Sequence, residues 1–146
     1  MQRYPGGTLA KQQPTSGTIL YVTDLTSDSD ETLASACEMA DRNRAAIELI
    51  HVVDVVQERS SPDAQMGILY RLETLARRLN NLRRNIVPLL LFGSLEDAIA
   101  KRACDTNARM VVFGNDSSSP TVLQERLVRI RRRVPCPVMI ISAHIA

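Results

Sequence analysis

Residues 110–142, MVVFGNDSSSPTVLQERLVRIRRRVPCPVMIIS, decide how the rest of the chain is read. An apolar run closes on Gly114, a serine-rich loop follows, then a basic helical stretch, then a second apolar run. A phosphate-binding unit has this strand–loop–helix–strand layout, because a helix N-terminus behind a loop offers backbone N–H groups to an anion. The functional question is whether this loop keeps the residues that would let it hold a nucleotide.

Working outward, the same alternation covers the chain. Residues 18–25, TILYVTDL, form a short β-branched run that stops at an acidic residue. In residues 26–45 Leu33, Cys37 and Ala40 recur at helical spacing, and residues 27–30 offer capping oxygens. Residues 46–55 are the second strand and 56–64 a loop. Residues 65–83 place Ile68, Leu69, Leu72, Leu75, Leu79 and Leu82 on an apolar helical stripe. Residues 85–93 form the third strand, with Pro88 marking it as an edge or a bulge. Ser94, followed by Glu96 and Asp97, opens a helix over 94–108. Residues 109–114, 121–133 and 136–142 supply strand four, helix four and strand five.

Continuous apolar strands separated by amphipathic helices predict an α/β fold. It is a doubly wound, Rossmann-like, five-stranded and mostly parallel sheet flanked by four helices. Ligands of such sheets bind beyond the carboxyl ends of the strands. That rim carries Asp24, residues 53–55, Gly93 and Gly114.

Composition narrows the function. The 146 residues suit one domain, with residues 1–17 read as a flexible extension and 18–146 as the domain. The extension has no apolar core of a signal peptide, and no apolar run reaches the ~18 residues of a membrane span. A net charge of +2 argues neither for nor against nucleic acid, whereas 3% aromatics without Trp argue against base-stacking platforms. Arg126, Arg129, Arg131, Arg132 and Arg133 crowd the last helix, and Arg77, Arg78, Arg83 and Arg84 the end of the second. Cations near helix C-termini answer the helix dipole, and neither nucleic acid nor membrane is expected as a partner. Cys37, Cys104 and Cys136 have no metal-ligand spacing. They read as reduced structural thiols of a cytoplasmic protein, Cys37 and Cys104 on buried helix faces. His51 inside strand two and His144 in the tail have no neighbouring nucleophile, and His51 reads as a packed or hydrogen-bonded residue. The TSDSD run lacks the acidic pair, phosphoacceptor and lysine of a phosphorelay receiver. No catalytic or metal site is assigned.

Four segments, TILYVTDLTSDSDETLASACEMA, AIELIHVVDV, RMVVFGN and VPCPVMIIS, in this order and spacing, resemble the universal stress protein family from about residue 18 to 142. The resemblance implies a dimer formed through the last strand, by antiparallel pairing of Pro137, Val138, Met139, Ile140 and Ile141. It also implies a division into ATP-binding members and UspA-type members that do not bind ATP. The ATP-binding members carry G-x2-G-x9-G-[ST] after strand four, where glycines admit the phosphates and the final hydroxyl stands at a helix start. Here Gly114 supplies the first glycine, Ser117 replaces the second, and strict spacing puts Leu127-Val128 at the final pair. Allowing for a loop three residues short puts Gln124-Glu125 there instead. The motif is broken either way.

By the same resemblance Asp24 matches an acidic residue that contacts the nucleoside, with a helix cap or a solvent-facing carboxylate as its plain alternative. Leu25 stands where ATP-binding members usually have Gly and UspA-type members Leu. Val52 and Val53 match residues that cradle adenine, or serve as sheet core. The expectation is a UspA-type dimer with no cofactor and no enzymatic activity, acting through a protein partner that the sequence does not name. The alternative is an ATP- or AMP-binding member using Asp24, Val53, Gly114 and Ser117, with Ser118 and Ser119 lending hydroxyls. A nucleotide hydrolase has no candidate base.

Overall fold

The computed structural model describes residues 17–25, 30–54, 62–82, 86–114 and 120–141. Its elements are β1 (Thr18–Val22), α1 (Asp30–Arg42), β2 (Ala46–Val53), α2 (Pro62–Leu82), β3 (Ile86–Phe92), α3 (Leu95–Thr106), β4 (Met110–Gly114), α4 (Pro120–Arg131) and β5 (Val138–Ile141). The strands lie in the order β3-β2-β1-β4-β5, and every pairing is parallel. The order reverses beside β1, which pairs with β2 on one side and β4 on the other.

Side chains of a strand alternate between the two faces, so an apolar run feeds two cores at once. Ile19, Tyr21, Ile47 and Leu49 meet Leu33, Ala36 and Ala40 of α1 and Leu72, Leu75 and Leu79 of α2. Leu20, Val22, Ile50, Val111 and Phe113 face the other way, onto Ile99 and Ala103 of α3 and Leu127 and Ile130 of α4. Burying each large side chain contributes about 1.5–3 kcal/mol. Continuous apolar strands are therefore what a sheet covered on both faces requires.

The boundaries move where tertiary bonds intervene. β1 ends at Val22 instead of residue 25, because Thr23 to Leu25 turn off the sheet. β2 ends at Val53, and residue 55 lies outside the described residues. α2 begins three residues early, at Pro62, whose fixed φ and missing N–H suit the first helical position. Leu69 sits beside the buried stripe and is 38% exposed, contrary to its expected place in it. Cys37 is buried as expected, but Cys104 is exposed. Gly17 belongs to the domain: its carbonyl accepts from the Ala46 N–H at 3.2 Å. Its φ of +97° and the Arg109 stem, 2.6 Å from where a Cβ would stand, leave room only for glycine.

Pro88 lies on an edge strand, as expected. The Gly93 N–H reaches the Val53 carbonyl at 3.0 Å, so odd-numbered residues of this strand turn their backbone groups to β2 and even-numbered ones outward. On the outward side Asn80 of α2 accepts from the Ile86 N–H and donates to the Ile86 carbonyl, and Pro88 has no N–H to offer. The β3 edge is thus blunted against pairing.

One polar pair crosses the second core. Arg102 of α3 grips Glu48 of β2 through two hydrogen bonds, 2.8 and 2.6 Å, with the carboxylate side chain only 15% exposed. Arg102→Ala leaves that charge half-desolvated and is expected to cost about 1.5–3 kcal/mol in urea unfolding. Lys101→Ala, which removes an exposed pair with Asp105, is expected to cost no more than about 0.5 kcal/mol.

Candidate functional site

Because the sheet is parallel throughout, the carboxyl ends of all its strands share one rim, with Asp24, Val53, Gly93 and Gly114 along it. Asp24 is exposed and Gly114 half-buried. Val53 is fully buried, and Val52 is half-buried against the second core. Leu25, directly after Asp24, has a φ of +67°, so no helix starts there for Asp24 to cap, and the capping reading is set aside.

Hydrogen bonds within it and to β2 and α2 hold the turn after β1. Thr23 N–H donates to the Ile50 carbonyl at 2.8 Å, and its Oγ1 accepts from the Leu25 N–H at 2.9 Å. His51 Nδ1 lies 2.9 Å from the Thr23 carbonyl. A carbonyl only accepts, so Nδ1 is the protonated nitrogen of that ring. Arg71 of α2 donates to the Leu25 carbonyl at 2.7 Å. Leu25 is thereby fixed at φ +67°, a conformation costing a side-chain-bearing residue about 1–2 kcal/mol, with its side chain against the first core. His51 was readable as a hydrogen-bonded strand residue. Arg71 was not, since its partner lies 46 positions away.

The residues after β4 divide between core and surface. Ser117, Ser118 and Ser119 lie outside the described residues. α4 begins at Pro120, so Gln124-Glu125 and Leu127-Val128 both stand inside the helix and neither pair is at its start. Leu127 is fully buried in the second core, whereas Val128 and Glu125 are exposed. The first helical position, where a phosphate would collect N–H groups, is a proline with none to give.

The last-helix arginines are partly neutralised within the chain. Ser94 accepts from the Asp97 N–H at 3.1 Å and caps α3. Gly93, at φ +127°, provides the turn into that cap. Arg129 pairs with Glu96 at 3.0 Å and Arg133 with Asp97, and these residues line a shallow groove together with Ser94 and Arg132. Burial pushes the Glu96 carboxyl up. The hydrogen bond from Arg129, its own backbone amide and the charges of Arg126 and Arg129 outweigh that and hold it below its ordinary 4.5. Among the described residues no three His, Cys, Asp or Glu side chains gather as metal ligands, and no helix is long and apolar enough to cross a membrane.

The sequence profile of the Universal stress protein family matches residues 15–142. No curated protein matches the chain. Among solved structures, the universal stress protein from Archaeoglobus fulgidus in complex with dAMP is 16% identical, over 87% of this chain and 98% of that one, with a TM-score of 0.67. A universal stress protein in complex with cAMP is 19% identical, over 90% and 100%, with a TM-score of 0.67. Universal stress protein UspA from Lactobacillus plantarum is 19% identical, over 88% and 99%, with a TM-score of 0.57. At these identities the likeness is one of fold.

The lowered Glu96 carboxyl sets a pH dependence. A folded-state pKa below the unfolded one adds stability above pH 4.5 that is lost as pH falls through the folded value. Glu96→Gln is therefore expected to lower stability at pH 7 and to flatten its decline below pH 4.5, as read by thermal melts across pH.

Proposed function

The chain belongs to the universal stress protein family, and we propose that it is a UspA-type member: a non-enzymatic cytoplasmic homodimer that works through protein contacts and binds no ATP. The observation that carries this reading is the rim itself. Leu25, a side-chain-bearing residue in a left-handed turn, occupies the position where the family's ATP-binding members usually have Gly, and Pro120 heads the helix behind the broken glycine motif. Three free thiols suit a reducing compartment.

A nucleotide reading draws on Asp24 and Gly114 at the rim and on two structural neighbours solved with cAMP and dAMP. Against it stands Pro120, which has no N–H to give at the start of α4. Calorimetric titration of ATP, ADP and AMP with magnesium is expected to give no saturable heat at millimolar nucleotide. Binding that Asp24→Ala abolishes would instead favour the serine-loop alternative.

The dimer reading is supported by the difference between the two sheet edges. β3 is blunted by Asn80 and Pro88, whereas β5 presents Met139 at 37% exposure. The Pro137 carbonyl is taken by the Val111 N–H, which turns the even-numbered residues of β5 outward; of these Val138 lends its carbonyl to Arg131. Antiparallel pairing with a second copy would satisfy the remaining edge groups. Met139→Lys or Ile141→Lys is expected to weaken that dimer in sedimentation, and a variant as fully dimeric as the parent would count against strand pairing.

A further inference from the structure

α2 outruns the sheet it covers. Its 21 residues span roughly 31 Å, against roughly 23 Å for the seven residues of β3. Burial begins at Leu72 and continues at Leu75, Ala76 and Leu79, while no residue from 62 to 71 is buried. Within roughly 60° of the direction opposite that buried stripe lie Asp63, Met66, Gly67, Tyr70, Thr74, Arg77 and Asn81. Met66 is 68% exposed and Tyr70 65%. A polar surface helix would carry charged residues at those places.

Gly67 is the second observation. It sits in the helix interior, where glycine is less stable than alanine, and a Cβ added there would meet nothing within 4 Å. Nothing among the described residues uses the space it leaves. A close neighbour would.

The charges on this face identify that neighbour as a second copy. Asp63 and Arg77 stand symmetrically about Tyr70, two turns before it and two turns after. In an antiparallel two-fold contact centred on Tyr70, Asp63 of each protomer faces Arg77 of the other, Met66 faces Thr74, and Glu73 faces Gly67 rather than an acid. The missing side chain at Gly67 lets the backbones approach while the two Tyr70 rings meet at the axis. Arg77 is exposed and donates to the Thr74 hydroxyl at 3.3 Å within the same helix, which leaves its guanidinium able to take a carboxylate. Self-complementarity of this kind is what an isologous interface requires. We propose that the exposed face of α2 is a self-association surface distinct from the β5 edge, formed by antiparallel α2 helices of two copies.

The test is sedimentation of the full chain over a wide concentration range. The parent is expected to form species larger than a dimer as concentration rises, because it carries two different two-fold surfaces. Tyr70→Glu, Asp63→Arg and Arg77→Asp are each expected to weaken that step about tenfold or more, and the Asp63→Arg/Arg77→Asp double variant to restore it to within about threefold of the parent. Gly67→Ala should raise the melting temperature while weakening association. Met139→Lys should leave the α2-linked pair intact, so failure of strand pairing and failure of this surface are read separately. A Met139→Lys variant that stays monomeric at every concentration leaves the face to another partner and overturns the proposal. So does a Tyr70→Glu variant that sediments like the parent, or a double reversal that restores nothing.

Discussion

The structure depends on β1 being hydrogen-bonded in parallel on both of its sides. Five residues, Thr18–Val22, pair with β2 and with β4, and Ile19, Leu20 and Tyr21 are wholly buried. A strand so placed must be apolar on both faces, which fixes its sequence. It also forces the chain to reverse its order of winding at this point, so the ends of β1 and β4 open side by side on one rim. The turn that leaves β1 therefore determines what that rim offers. Here it offers a left-handed leucine held by Thr23, His51 and Arg71.

That turn and the start of α4 work in the same direction. A phosphate cradle needs backbone N–H groups facing inward and no side chains in the way. Leu25 holds a left-handed backbone with its side chain on the first core, and Pro120 withholds a donor at the start of α4. The cost of a left-handed leucine is offset locally by its packing against the first core and by a carbonyl bonded to a guanidinium. Both features support the proposed reading of a rim that holds no nucleotide. The two outer strands also differ, with one edge blunted by Asn80 and Pro88 and Met139 exposed on the other.

Much of this was legible in the sequence, and the reason is burial. Strands covered on both faces must be continuous apolar runs, so all five were found, and Pro88 correctly marked an edge. Helix stripes were found where side chains reach the core, as at Leu72, Leu75 and Leu79. Strand ends were less readable because they are set by bonds from distant residues: the Arg71 hold on Leu25 leaves no periodic trace. Leu69 and Cys104 were misplaced because each flanks a buried stripe, and one helical position decides between core and solvent. At the site, the broken glycine motif was plain, whereas the left-handed backbone at Leu25 was not, since leucine seldom adopts it.

The proposed function leaves the rim beside β1 without a nucleotide. An amide NMR spectrum of the labelled protein, recorded while magnesium-ATP is added, tests it at the residues concerned. The resonances of Thr23, Leu25, Gly93 and Gly114 are expected to hold their positions up to millimolar nucleotide. Saturable movement of those four amides, with the rest of the sheet unchanged, would contradict the account.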